Sequence, residues 1–95
     1  MERTRYELGF TEHFRRRLPV FLRKHPELVQ RVERVLDDLK SDPAAPRLRL
    51  HALRGRHQGK YAVTVTRPYR ITLTINVRER YIELLDIGSH DELYS

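Results

Sequence analysis

The sequence predicts an α+β fold in which an N-terminal strand and a helix hairpin pack on one face of an antiparallel sheet, in a single domain spanning residues 1–95. Two observations carry this. The first half contains two stretches with apolar residues at helical spacing, and the second half contains runs in which apolar and polar residues alternate. A third restricts the topology: the links between the alternating runs are short, so neighbouring strands should pair antiparallel.

The elements follow in order. Between Arg5 and Phe10, Tyr6, Leu8 and Phe10 alternate with charged or small residues, which is the period of a strand. Thr11 is an N-cap for the helix that follows, and Glu12 places negative charge in its first turn. Phe14, Leu18, Phe21 and Leu22 line one face of that helix. Pro19 lies among them and predicts a kink or a restart, because proline lacks an N–H and its ring crowds the preceding turn. His25-Pro26 starts a second helix with proline at the tolerated first position. Leu28, Val32, Val35, Leu36 and Leu39 form its apolar stripe, with Arg31, Glu33, Arg34 and Asp38 opposite; the Ser-Asp-Pro-Ala-Ala-Pro run over 41–46 ends it.

Three strands complete the chain. Tyr61 to Thr66 alternates and stops at Arg67-Pro68. Tyr69, Ile71, Leu73 and Ile75 then share one face, leaving Arg70, Thr72, Thr74 and Asn76 on the other. After the polar turn Arg78-Glu79-Arg80, the run Tyr81 to Ile87 is apolar enough to lie centrally in the sheet. The helices should cover one sheet face. The other, carrying Arg70 and the threonines, is expected to be uncovered and bordered by the loop from Arg47 to Lys60.

Composition narrows the chemistry. Nineteen Lys and Arg against 13 Asp and Glu give a formal charge of +6 on 95 residues. Such a surplus suits a polyanionic partner, since each neutralised phosphate releases condensed counterions, and it also fits a merely well-solvated surface. Arg47, Arg49, Arg54, Arg56 and Lys60, with His51 and His57, crowd one loop that either grips phosphate and ribose or contacts nothing. The absence of cysteine excludes disulfides, thiolate metal sites and a cysteine nucleophile. The five histidines show no spacing typical of a zinc site, so no metal or other cofactor is expected. The opening MERTRYELGF is not a secretion signal, and no apolar run nears the roughly 20 residues of a membrane span, so a cytoplasmic protein with no membrane partner is expected.

His51-Ala52-Leu53, the Gly55 and Gly59 pair, Pro68-Tyr69-Arg70-Ile71 and the ending Asp86-Ile87-Gly88-Ser89-His90-Asp91-Glu92-Leu93-Tyr94 together resemble toxins of the RelE/ParE superfamily, in its RelE/StbE and YafQ-like branches. With the N-terminal strand and helix pair, the resemblance covers essentially the whole chain. It implies a compact sheet with two N-terminal helices and a concave catalytic face, cleavage of mRNA in the ribosomal A site, and a cognate antitoxin that wraps or blocks the toxin. The sequence also departs from the family. Thr64 or Val65 stands where the YafQ-like pattern has a third histidine, Tyr69-Arg70 replaces its Asp-Trp pair, and the lysine-rich set of RelE is incomplete.

Metal-independent RNA cleavage needs a group that activates the ribose 2′-hydroxyl, a cation for the charged phosphorane and an acid for the 5′ leaving oxygen. The resemblance maps these roles onto His51, Arg70, His90 and Tyr94. His90 and His51 match the functional histidines of the YafQ-like branch, and imidazole titrates near neutrality. Arg70 matches the strand arginine that holds the scissile phosphate, and Tyr94 matches the near-terminal aromatic. Each residue also has a structural reading: His90 as a cap of the C-terminal turn, His51 as a stacked loop histidine, Arg70 in an ion pair with Glu83 or Asp86, and Tyr94 as simple packing of the tail. Arg54, Arg56 and Lys60 are expected to bind the RNA backbone, while His13, His25 and His57 are read as surface or capping residues. Three functions stay open at this point: a ribosome-dependent endoribonuclease with ribosome and mRNA as partners, a ParE-type toxin of DNA gyrase, and a catalytically inactive module that binds RNA or antitoxin.

Overall fold

The computed structural model describes residues 5–94. Strand β1 (Glu7–Phe10) leads into α1 (Glu12–Lys24), a one-turn 3₁₀ segment (Pro26–Leu28) and α2 (Val29–Ser41). A second 3₁₀ turn (Pro46–Leu48), the two-residue strand β2 (His51–Ala52) and a third 3₁₀ turn (Gly55–His57) follow. Strands β3 (Tyr61–Thr66), β4 (Tyr69–Asn76) and β5 (Tyr81–Ser89) then lead to a final helical turn, α3 (His90–Tyr94). The five strands form one sheet in the order β1-β5-β4-β3-β2.

This is the expected α+β architecture, with differences that shape the site. β1 pairs parallel to β5, so the sheet is mixed, with the other neighbours antiparallel. β2 is a strand that alternation could not reveal: two residues within an arginine-rich run carry no period. α1 continues through Pro19 without a restart. Pro19 lies on the exposed side of that helix, where a carbonyl left without its N–H donor can turn to water, so the lost bond does not end the helix. The Thr11 cap is as expected, its Oγ1 accepting the Phe14 N–H at 3.1 Å.

The core lies between the helices and one sheet face. Phe14, Phe21, Val32, Val35, Leu39 and Leu48 meet Val63, Val65, Ile71, Leu73, Ile82, Leu84 and Ile87, all of them buried. At about 25 cal/mol per Å², each of the larger side chains contributes roughly 1.5 to 3 kcal/mol. Two bulges keep this pattern aligned. The register skips Val65 on β3 and Leu85 on β5. A one-residue shift reverses the face of every later side chain, so the Leu85 bulge turns Ile87 into the core and Asp86 to the opposite face.

Where β1 ends at Phe10, α1 takes over the exposed edge of β5. The Thr11 hydroxyl donates to the Leu84 carbonyl at 3.1 Å, and Arg17 Nη2 donates to that of Ile87 at 3.4 Å. The second sheet face is not bare, contrary to expectation. α3 folds back against β4 and β5, and Ala62, Thr72 and Leu93 are buried although they lie outside the helix-side core. Among the described residues no helix is long and apolar enough to cross a membrane.

Candidate active site on the second face of the sheet

Register places Arg70 in a row with Thr64 on β3 and Gly88 on β5. Its Nη1 donates to the carbonyls of Thr66 at 3.0 Å, Arg67 at 2.6 Å and Tyr69 at 3.2 Å. These bonds tie the guanidinium to the β3–β4 turn and leave Nε and Nη2 to face a ligand. The alternative ion pair with Asp86 does not form. Asp86 instead meets His13 Nε2 at 3.2 Å and Arg17 Nε at 3.6 Å, which gives His13 a structural role.

The C-terminal turn is built by local bonds. Gly88 and Ser89 both remain in β5, paired with Arg70 and Tyr69. The exit follows Ser89, through a reciprocal cap in which the Ser89 N–H donates to Glu92 Oε1 at 2.8 Å and the Glu92 N–H donates to Ser89 Oγ at 3.2 Å. The bond from the Ser89 N–H, then the Arg17 guanidinium 3.9 Å away, hold the Glu92 carboxyl below the ordinary carboxylate value. A Cβ at position 88 would lie 2.6 Å from Glu92 Oε1, so a larger residue would push the Glu92 carboxylate aside and loosen this cap. The result sets His90 and Tyr94 on the same side of α3, with rings 4.5 Å apart and nearly perpendicular.

His57, expected as a surface or capping residue, joins this group. Its ring lies 5.7 Å from that of Tyr94, at 65°. His57 Nε2 and the Tyr94 hydroxyl are both buried with no hydrogen-bond partner. An orphaned buried polar atom costs about 1 to 3 kcal/mol, and folded proteins keep few of them. Burial pushes the Tyr94 hydroxyl above the ordinary tyrosine value, while nearby Arg70 pulls it down. The one sequence signal for His57 is its position between Gly55 and Gly59, both with positive φ, which frame a tight turn.

Arg70, His90 and Tyr94 are thus brought together, and His51 is not brought into contact with them. It lies on β2 rather than in a loop, exposed, with Nδ1 3.0 Å from the Arg49 carbonyl oxygen. Its pairing with Ala62 puts it on the same face as Arg70, at the rim. Arg54 and Arg56 are exposed and Lys60 is half-buried; all three flank the turn that carries His57. His25 is the C-cap of α1, with its ring 4.6 Å from both Phe21 and Tyr69. Beside Arg70 opens a cleft of about 440 Å³ lined by Arg49, Thr64, Arg67 and Arg70.

A fixed guanidinium, two imidazoles and a phenol around one strand arginine can bind a phosphate and move protons at its ester oxygens. No family model matches the chain, and no curated relative does. Solved structures do. The chain superposes on YafQ of E. coli with a TM-score of 0.72 at 11% identity, covering 95% of this chain and 99% of that one. For a YoeB/ParE toxin from Agrobacterium tumefaciens the values are 0.74 and 17%, covering 88% and 98%. For the RelBE2 toxin–antitoxin complex of Mycobacterium tuberculosis they are 0.62 and 22%, covering 90% and 99%. The chain therefore has the fold of these RelE/ParE-type toxins.

Proposed function

We propose that this chain is the toxin of a toxin–antitoxin pair and a metal-independent endoribonuclease acting on ribosome-bound mRNA. The observation that carries the reading is the grouping of Arg70, His90, Tyr94 and His57 on one sheet face, beside a cleft lined by arginines.

In this reading the free side of the Arg70 guanidinium takes the non-bridging oxygens of the scissile phosphate. The 2′-oxygen attacks phosphorus as His57 Nε2, which the turn between Gly55 and Gly59 must first expose to the ligand, accepts its proton. The bond from phosphorus to the 5′-oxygen breaks, and exposed His90 supplies the proton that this oxygen needs. The products are a 2′,3′-cyclic phosphate and a 5′-hydroxyl end. The Tyr94 ring stacks on a base, an interaction worth roughly 1 to 3 kcal/mol. His51 at the rim, with Arg54, Arg56 and Lys60, contacts the strand outside the reacting bond. The antitoxin would carry acidic residues to match the basic face.

The test is induction of the chain without any antitoxin, followed by mapping of mRNA 5′ ends. Codon-phased cuts on translated messages are expected, and Arg70→Ala should abolish them. Growth arrest with intact mRNA and inhibited DNA supercoiling would replace this reading with the gyrase one.

A further inference from the structure

We infer that Arg49 and Arg67 bind a second phosphodiester of a single-stranded RNA, adjacent to the one held by Arg70, so that the strand leaves the reacting centre across Thr64. This rests on the reading of Arg70 as the scissile-phosphate residue, but it concerns binding and can be measured without cleavage.

The cleft supplies the grounds. Its lining consists of three arginines and one threonine, with no acidic side chain among them. Three guanidiniums gathered without a counter-charge repel one another, and an anion removes that repulsion. Their planar, forked donors suit phosphate oxygens, and the Thr64 hydroxyl adds one more donor. Arg70 joins the cleft to the reacting centre, since it lines the cleft and its charge reaches the Tyr94 hydroxyl. A ligand with contiguous charges can therefore occupy both.

Each added arginine is held by backbone. Arg49 sits in the left-handed region at φ 52 and ψ 45, closing the 3₁₀ turn with its N–H on the Pro46 carbonyl at 3.1 Å. Glycine takes that conformation without cost and arginine does not, so the local fold alone would favour glycine there. The Arg67 carbonyl is fastened to Arg70 Nη1, which makes the β3–β4 turn and the strand arginine one unit. Arg49 lies outside the motifs by which the chain resembles the toxin family, and Arg67 directly precedes one of them.

The test titrates a short 2′-O-methyl RNA, which cannot be cleaved, against the purified chain over a range of salt concentrations. Arg49→Gln and Arg67→Gln should each lower the slope of log affinity against log salt, and the double variant should lower it by about 0.7, the value of one lost phosphate contact on a single strand. The double variant should bind about tenfold more weakly at moderate salt, a loss spread over all base sequences. Arg49→Gly should lower the slope as much as Arg49→Gln while melting no lower than the parent, which separates binding from folding. Unchanged slopes overturn the inference. Competition by poly-glutamate equal to that of the RNA overturns it in favour of an acidic peptide, and equal competition by inorganic phosphate reduces it to an isolated anion site. Normal slopes in a chain that never cleaves translated mRNA would remove the nuclease reading and leave this one standing.

Discussion

Two clefts of similar size share Thr64 as a lining residue, and both are rich in arginine. The helix-side cleft, about 460 Å³, holds Arg31, Arg34 and Arg47 together with Glu27 and Asp38. Its arginines serve the fold. Arg47 grips Asp38 through two bonds of 2.8 and 2.9 Å, and Arg31 Nη1 caps the Val65 carbonyl at the strand edge at 3.3 Å. The other cleft, about 440 Å³, has Arg49, Arg67 and Arg70 and no lining carboxylate. Charge count does not distinguish them; neutralisation does. Where arginines have partners the surface is structural, and where they lack them an outside anion completes it.

The largest expected effect is at Arg70. Arg70→Ala should lower RNA cleavage by about 10² to 10³, the usual cost of losing a preorganised charge at a developing oxyanion. Arg70→Lys should fall between, because ammonium cannot reproduce the fork. Single-turnover rates on an RNA that the parent cuts would measure both, and parental activity in Arg70→Ala would end the contrast between the clefts.

Next come the histidines. His90→Ala and His57→Ala should each cost about 10²-fold, the lower range for a proton-transfer group. His51→Ala should change the rate only a few-fold, since its ring stays outside the cluster. A larger loss at His51 than at His57 would reverse that assignment.

Tyr94→Phe separates stability from function. Removing a buried hydroxyl that bonds to nothing should stabilise the fold by about 1 kcal/mol, which raises Tm by about 4 to 8 °C in a domain of this size. Cleavage should be retained in the same variant, because phenylalanine keeps the stacking ring. Calorimetry showing a lower Tm would mean that the hydroxyl has a partner.

The smallest effect belongs to the neutralised cleft. The hydrogen bond and charge of Arg47 hold the Asp38 carboxyl below its ordinary value. A lowered carboxylate stabilises the fold above its unfolded value near 4, and that contribution disappears as pH falls through the lower, folded value. Glu92 behaves alike, so acidification below about pH 4 should weaken the α2 cleft and the α3 cap together. Asp38→Asn should flatten the acid limb of the stability curve slightly. It should also raise polyanion affinity by freeing Arg47, which heparin binding would report.

Much of this molecule was legible in its residues. The helical stripe of α2, the alternation of β3 and β4, the Thr11 cap and the face carrying Arg70 all follow from local periodicity, which reports what turns inward. β2 was not legible, because two residues have no period. Nor were the bulges at Val65 and Leu85, which only a partner strand defines. Pro19 misled because the expected break assumes that its lost bond has no other outlet. Arg70, His90 and Tyr94 could be named from motifs. The approach of His57 to Tyr94 could not, because side chains 37 residues apart in the chain meet only after the sheet has ordered the strands.

By itself the sequence determined which residues could be core, the short connections that make most of the sheet antiparallel, and the basic charge that invites a polyanion. These are local or summed properties, and they need no knowledge of neighbours in space. Only the tertiary structure decided which arginines acquire carboxylate partners and which are left to share a cleft. That depends on the register that sets β2 beside β3 and on the packing of α2 near Thr64, and such long-range contacts are absent from any single stretch of chain.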